Sequence, residues 1–359
     1  MNLLGHGIRP GLVAVVTGAS SGIGRATALA FARRGARVVV TARSREVLEE
    51  VAEECRSAHP AAEAVAVPAD VTDAAAVDRV ARTALTRYGR IDVWVNAAGV
   101  GVLGSLAEVP LDDMRRLWDV NVLGALHGAR AALPAMRAQG RGVIVDISSM
   151  LGAAVQAPYM GAYAASKAAL VTLDETLRRE LSLAGDRGVA VCTLLPTGVD
   201  TPFFHHAANR TGRRLRALPA VATPERVARA VVHTAVRPRR RVTVGPGARL
   251  LPAATAVARR PVLGLVAWRT EHHYLGPRGS ADDTAGRLRT PSGDSAAVRG
   301  GRAGRARTAA RAACAASALG AAAAGVRAAA RTRSRPTSSL PRPFTRPVRR
   351  PRSWLNGTD

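Results

Sequence analysis

From Leu12 to about Gly245, short apolar runs alternate with longer stretches in which apolar residues recur every three or four positions. The short runs are Leu12–Thr17, Arg37–Thr41, Ala64–Pro68, Ile91–Val95, Gly142–Ile147, Val189–Leu195 and Arg241–Val244. They are dense in Val and Ile, the pattern of strands covered on both faces of a parallel sheet. The stretches between them, Gly22–Arg34, Glu46–Ala58, Ala74–Tyr88, Leu111–Gln139, Gly161–Ala184 and Pro224–Val236, carry helical periodicity. Strand alternating with helix predicts right-handed βαβ units. The expected class is therefore α/β, a doubly wound parallel sheet of about seven strands with helices on both faces.

Beyond Gly245 this pattern fades. Leu250–Trp268 is apolar but interrupted by Pro252, Pro261 and Gly264, and reads as a helical pair that covers a cleft or mediates contacts. From Gly279 onward the chain is mostly Ala, Arg, Gly, Pro and Ser. Such a composition buries too little apolar surface to offset its ordering entropy, and predicts disorder. The uncharged stretch Ala312–Val326 is an exception. It falls short of the ~20 apolar residues that a spanning helix needs and reads as a transient helix. Three segments follow: 1–248 as the α/β domain, 249–278 as an apolar helical segment and 279–359 as a basic tail.

Charge is concentrated in that tail. The net charge is +26; residues 285–359 hold sixteen Arg against two Asp, which is +14, leaving +12 for the rest. The tail has little aromatic interleaving, so phosphate contacts would give only salt-sensitive, non-specific binding. A weak polyanion or membrane-surface contact is expected of it, and no specific nucleic acid. Cys55, Cys192 and Cys314 are dispersed and form no CxxC pair, and Met1–Pro10 holds no long apolar run. These features predict a reducing, cytoplasmic setting, no signal peptide and no cysteine metal site. His205 and His206 lack nearby partner ligands and read as loop residues.

The first strand runs into Thr17-Gly18-Ala19-Ser20-Ser21-Gly22-Ile23-Gly24, which opens the first helix. Glycines there let the backbone approach a pyrophosphate, and the helix N-terminus offers N–H groups and the positive end of its dipole. With a strand before it and a helix after it, the motif predicts a Rossmann-like dinucleotide site. The second strand ends Val40-Thr41-Ala42-Arg43 with no carboxylate to bind a ribose hydroxyl. Arg43 can instead pair bidentately with a 2′-phosphate, so NADP (NADPH) is the expected cofactor. Asp70 and Val71, after the third strand, are placed either at the adenine edge or in the cap region of the next helix.

Of the 52 Lys and Arg residues, 51 are Arg and one, Lys167, is Lys. An ammonium is a compact point charge on a flexible stem, which a guanidinium cannot imitate. Lys167 lies four residues after Tyr163, on the same helix face. A cation beside a phenol is expected to lower its pKa toward working pH and make Tyr163 a general acid in reduction and a base in oxidation.

These motifs resemble the short-chain dehydrogenases/reductases over about Gly11 to Gly245. The glycine run matches at Thr17 to Gly24, and the family's Tyr-x-x-x-Lys stands as Tyr163-Ala164-Ala165-Ser166-Lys167. The resemblance implies that Ser149, in Asp146-Ile147-Ser148-Ser149, hydrogen-bonds the substrate oxygen. It implies that Asn121, in Asp119-Val120-Asn121-Val122, holds a water of the proton relay. Asn96-Ala97-Ala98-Gly99 corresponds to the family's Asn-Asn-Ala-Gly, with Ala97 in place of the second Asn. Pro196, Val199 and Thr201 correspond to the loop beside the nicotinamide, with Thr197 where a glycine is expected. The step from Ser149 to Tyr163 is one residue longer than the family's, to be absorbed by Ser148 or by a loop bulge.

The reading that follows is an enzyme that moves a hydride between NADP and a carbonyl or alcohol of a small, apolar substrate. Leu103, Leu151, Val155, Tyr159, Phe203 and Phe204 are candidate pocket walls. The catalytic residues implied are Asn121, Ser149, Tyr163 and Lys167, without a metal, in a homo-oligomer. Two rivals remain: a 3-oxoacyl thioester reductase of lipid synthesis, and a non-catalytic cofactor-binding scaffold with a polyanion-binding tail.

Overall fold

The computed structural model describes residues 8, 10–216, 221–290 and 297–301. Seven strands form one parallel sheet: β1 (Val13–Thr17), β2 (Arg37–Thr41), β3 (Glu63–Ala66), β4 (Val93–Asn96), β5 (Gly142–Ile147), β6 (Val189–Pro196) and β7 (Arg241–Val244). Their spatial order is 3-2-1-4-5-6-7. The order reverses between β1 and β4, which pair directly at Ala14 with Val93 and Val16 with Val95. Neighbouring loops diverge at such a reversal and leave a crevice at the carboxyl ends of the strands.

Helices α1 (Gly22–Ala32), α2 (Arg45–Ser57) and α7 (Pro224–Val236) cover one face; α3 (Ala74–Tyr88), α5 (Gly124–Ala138) and α6 (Gly161–Leu183) cover the other. Successive strand residues serve opposite faces. Ala14 and Val16 enter the first core while Val13 and Val15 enter the second. Both sets are fully buried, which is why these strands read as unbroken apolar runs.

The predicted helix Leu111–Gln139 is divided. Its first part, α4 (Leu111–Trp118), passes through a π-helical turn at Asp119–Leu123 before α5 begins. The extra residue in that turn leaves helical periodicity largely intact, so the pattern does not reveal it. The apolar segment after β7 forms α8 (Leu250–Val257) and α9 (Arg259–Arg269), bent by 120° at their junction. Among the described residues no single helix is long and apolar enough to cross a membrane.

Disorder does not hold for every residue beyond Gly279. Residues 284–290 and 297–301 lie against the α/β domain, anchored by Leu288, which is buried beside Val102, Val109 and Leu117. One large apolar side chain and several backbone bonds supply what the composition lacks. Ala312–Val326 and the rest of the tail lie outside the described residues.

Candidate active site

The glycine loop sits in the crevice between β1 and β4. Gly18 adopts a positive φ, and a Cβ there would stand 2.6 Å from the Ala98 backbone. A Cβ on Gly24 would meet the Gly18 carbonyl at 2.1 Å, so glycine is what lets α1 start tight against the loop. Thr17 Oγ1 accepts the amides of Ala97 and Ala98 at 3.1 and 3.2 Å. The Asn96–Gly99 loop is thus tied to β1 through its backbone, which explains why an alanine serves at position 97. Ser20, Ser21, Gly22 and Ile23 line the same crevice with Arg43, Asp70 and Val71.

At the outer end of the crevice the C-terminal segment supplies hydrogen-bond acceptors. Gly22 N donates to the Ala297 carbonyl at 3.2 Å. Arg43 donates to the carbonyls of Arg289 (2.7 Å) and Arg287 (3.0 Å), and Arg116 to that of Leu288 (3.3 Å). These donors at the crevice are held here by carbonyl oxygens. Burial, with Arg116 and Arg287 nearby, lowers the Arg43 pKa although Asp70 opposes this. Asp70 is not the cap of α3; Asp73 is, accepting Ala76 N at 3.2 Å. Asp70 accepts from Thr72 at 3.0 Å and pairs with Arg116 at 2.6 Å. Burial alone would raise the Asp70 pKa, but these bonds outweigh it and hold it below the usual carboxylate range. Arg116 was not anticipated, because an Arg on a helix surface carries no distinguishing pattern in so Arg-rich a chain.

The start of α6 brings Tyr163 and Lys167 to the inner end of the crevice. Lys167 Nζ donates to the Ile147 carbonyl at 2.9 Å and lies 5.8 Å from the centre of the Tyr163 ring. The Ser149 hydroxyl hydrogen-bonds Tyr163 and also accepts Leu151 N at 3.1 Å. Ser148 faces the other way, donating to the Lys167 carbonyl at 2.8 Å. The additional residue between Ser149 and Tyr163 is taken up in a bulged turn. Gly152 at φ 91 approaches Ala164 so closely that a Cβ would lie 2.1 Å from its carbonyl oxygen, and Tyr159 adopts φ 63. Asn121 projects from the π-turn: its Oδ1 accepts Val100 N at 2.8 Å, and its Nδ2 donates to Val100 O at 3.0 Å and Ser166 Oγ at 3.1 Å. A Cβ on Gly99 would come within 3.4 Å of Asn121 Oδ1 and 3.6 Å of Lys167 Nζ, so the two polar ends face one space.

Electrostatics at this end differ from the sequence expectation. Burial pushes the Tyr163 phenol up to about 12, the Ser149 hydrogen bond opposing it. The cation does not lower it, because Lys167, brought down to about 8, has lost its charge where the phenol titrates. Burial also brings Lys167 down to about 8, against the attraction of Asp146 and Asp174. These two carboxyls form a buried pair behind β5 that the sequence reading did not single out. Asp146 accepts Asn96 Nδ2 at 2.6 Å, and Asp174 accepts the Thr193 hydroxyl. They hydrogen-bond each other, and burial raises both pKa values. The signal available was a carboxylate inside an otherwise apolar strand run, since an unpaired buried charge is costly.

Ser149, Tyr163 and Lys167 open into a cavity of about 810 Å³. The anticipated walls Leu103, Leu151, Val155, Tyr159, Phe203 and Phe204 all line it. The Phe203 ring packs 5.2 Å from that of Tyr163. Pro196, Val199 and Thr201 border the cavity where it meets the glycine loop; a Cβ on Gly22 would touch Thr201 at 3.3 Å. Thr197 fits because its neighbour across the loop is Gly245, whose Cβ would collide with Thr197 Oγ1 at 2.0 Å. The far wall is built by α8 and α9, and Arg216 and Arg269 also line the cavity. Among the described residues no group of three or more His, Cys, Asp or Glu is arranged to hold a metal ion.

A reversal crevice with a glycine loop, joined to a cavity holding Ser, Tyr and Lys, defines a dinucleotide-dependent oxidoreductase. The short chain dehydrogenase family profile matches residues 12–211, and the chain belongs to that family. A Bacillus subtilis protein described as an uncharacterized oxidoreductase is 35% identical over 248 residues, covering 67% of each chain. A Staphylococcus aureus uncharacterized oxidoreductase is 34% identical over 227 residues, 63% of this chain and 92% of its own. A Burkholderia phymatum short chain dehydrogenase/reductase solved with NAD aligns with TM-score 0.60 and 30% identity, over 72% of this chain and 96% of its own. A Thermococcus sibiricus alcohol dehydrogenase solved with 5-hydroxy-NADP aligns with TM-score 0.57 and 29% identity, over 65% and 96%. The protein is accordingly an NAD(P)-dependent dehydrogenase/reductase.

Proposed function

We propose that the protein is an NADP-dependent reductase that interconverts a carbonyl and an alcohol on a bulky apolar molecule. The observation that carries this reading is the meeting of Ser149, Tyr163 and Lys167 at the end of the apolar cavity that abuts the glycine loop. The crevice fits a dinucleotide: Gly18 and Gly24 leave it no Cβ atoms, and Gly22 N and Arg43 already hold oxygen acceptors. NADPH, when bound, supplies the hydride. The stretch from Thr17 to Gly24 would hold its pyrophosphate, and Arg43 its 2′-phosphate. Asp70, Val71 and the loop of Asn96, Ala97, Ala98 and Gly99 would flank the adenosine and ribose, and Pro196, Val199 and Thr201 the nicotinamide.

In reduction, Ser149 donates to the substrate oxygen and orients it, while Tyr163 hands that oxygen a proton. A phenol pushed up to about 12 stays protonated until the developing alkoxide claims its proton. Lys167 resupplies it, and Asn121, facing the same space beside Gly99, orients that relay. The apolar cavity excludes water and selects bulky, apolar ketones or aldehydes. Tyr163→Phe tests this directly. NADPH binding, followed by fluorescence, should be nearly unchanged while turnover on a ketone panel falls by about 10²–10⁴-fold. Retained turnover would remove Tyr163 from the mechanism.

A further inference from the structure

The two helices that wall the cavity also expose large apolar residues at its rim. On α8 the exposed positions Leu250, Ala253 and Val257 follow helical spacing, with Leu250 59% and Val257 75% exposed. On α9 the exposed positions Pro261, Gly264 and Trp268 do the same, and Trp268 is 52% exposed. Leu250, Ala253, Val257 and Pro261 also border the cavity, at its exposed rim, while Leu251, Ala254, Val262 and Leu265 line it further in. Exposed apolar side chains gathered on one surface mark a docking face for a partner or for lipid. At 8 and 11 residues neither helix alone is long enough to span a bilayer, and with a 120° bend between them the pair can lie in its interface.

Charge identifies the partner. No Asp or Glu occurs between Glu225 and Glu271, whereas that stretch holds ten Arg. Three of them, Arg249, Arg259 and Arg260, are exposed on or beside the hairpin. A second copy of the chain docked on this face would oppose like charges. An anionic lipid surface would complement them, and Trp268 is the residue type that settles at the headgroup level. We propose that the α8–α9 hairpin seats in the interface of an anionic bilayer, setting the exposed rim of the cavity against the lipid. This docking goes beyond the catalytic reading and does not depend on it.

The test is co-sedimentation of the full chain with vesicles of mixed phosphatidylglycerol and phosphatidylcholine, or of phosphatidylcholine alone. The comparison is with the variant Leu250→Asp/Val257→Asp. Each binding measurement is repeated in about 0.5 M salt, where exposed charges are screened beyond roughly 4 Å and the basic tail contributes little. Wild type should bind the mixed vesicles in both conditions. The double variant, with its melting temperature unchanged, should lose at least ten-fold in partition. Should the variant fail to fold, Trp268 gives a separate reading. Its emission, taken as the difference between wild type and Trp268→Phe, should shift to the blue on adding mixed vesicles. The proposal is overturned by equal binding of variant and wild type, by no binding of wild type, or by an unshifted Trp268 difference spectrum. It is also overturned if the face proves to hold a dimer that the double variant dissolves.

Discussion

Lys167 is held at the edge of ionisation by competing residues around it. Burial favours the neutral amine, and Asp146, ahead of Asp174, favours the ammonium, with about 8 as the balance. In the proposed mechanism, in the reduction direction, the proton that Lys167 supplies is lost as pH rises through that value. The turnover profile should therefore fall above pH about 8. Asp146→Asn removes the larger of the two carboxylate attractions and should move the break to lower pH while leaving NADPH affinity unchanged. An unmoved break in the pH–rate profile would show that the carboxyl pair has only a structural part. Arg43 carries a separate prediction. Charge-assisted bonds to a phosphate contribute about 1.5–3 kcal/mol. Arg43→Ala should weaken NADPH by about 10–100-fold and NADH far less, a contrast readable by fluorescence titration of both nucleotides.

At the scale of elements, two irregular pieces decide the geometry of the site. The π-turn of Asp119–Leu123 places Asn121 against Val100 and Ser166, and the bulged turn after Ser149 absorbs the longer step to Tyr163. Beside these two lies the segment around Leu288, whose neighbours satisfy Gly22 N and Arg43 with backbone carbonyls. A dinucleotide held as proposed would displace those carbonyls to reach the same donors. Leu288→Asp would put a carboxylate into a buried apolar cluster and release the segment. The expected outcome is a several-fold lower Kd for NADPH with unchanged turnover at saturation. A raised Kd would mean that the segment helps hold the cofactor.

Across the whole molecule, charge is far from balanced. A net charge of +26 destabilises any compact state by self-repulsion, and salt relieves it. Thermal unfolding followed by circular dichroism should show a melting temperature that rises by several degrees between about 0.05 M and about 0.5 M NaCl. Pairs such as Arg25–Glu54 at 2.6 Å offset part of the repulsion, but acidic residues number only 26 against 52 basic ones. A melting temperature that falls with salt would show that such pairs outweigh the net repulsion.

The alternation of Val-rich runs and helical stretches was enough to place all seven strands and the helices between them. A strand buried on both faces must be apolar at every position, and that leaves a local trace. The placement of Tyr163, Lys167 and Thr17 to Gly24 was legible for a similar reason: each group lies within a few residues of contiguous chain. The π-turn, the Asp146–Asp174 pair, Arg116 and the packing of Leu288 left no such trace. Each arises from groups 28 or more positions apart in the chain, or from a backbone irregularity that one-dimensional periodicity averages away. Folding also reversed one expectation: proximity of a cation predicted a more acidic Tyr163, but removal from water raised its pKa to about 12. Desolvation depends on everything surrounding a group, which a pattern of neighbours in sequence does not contain.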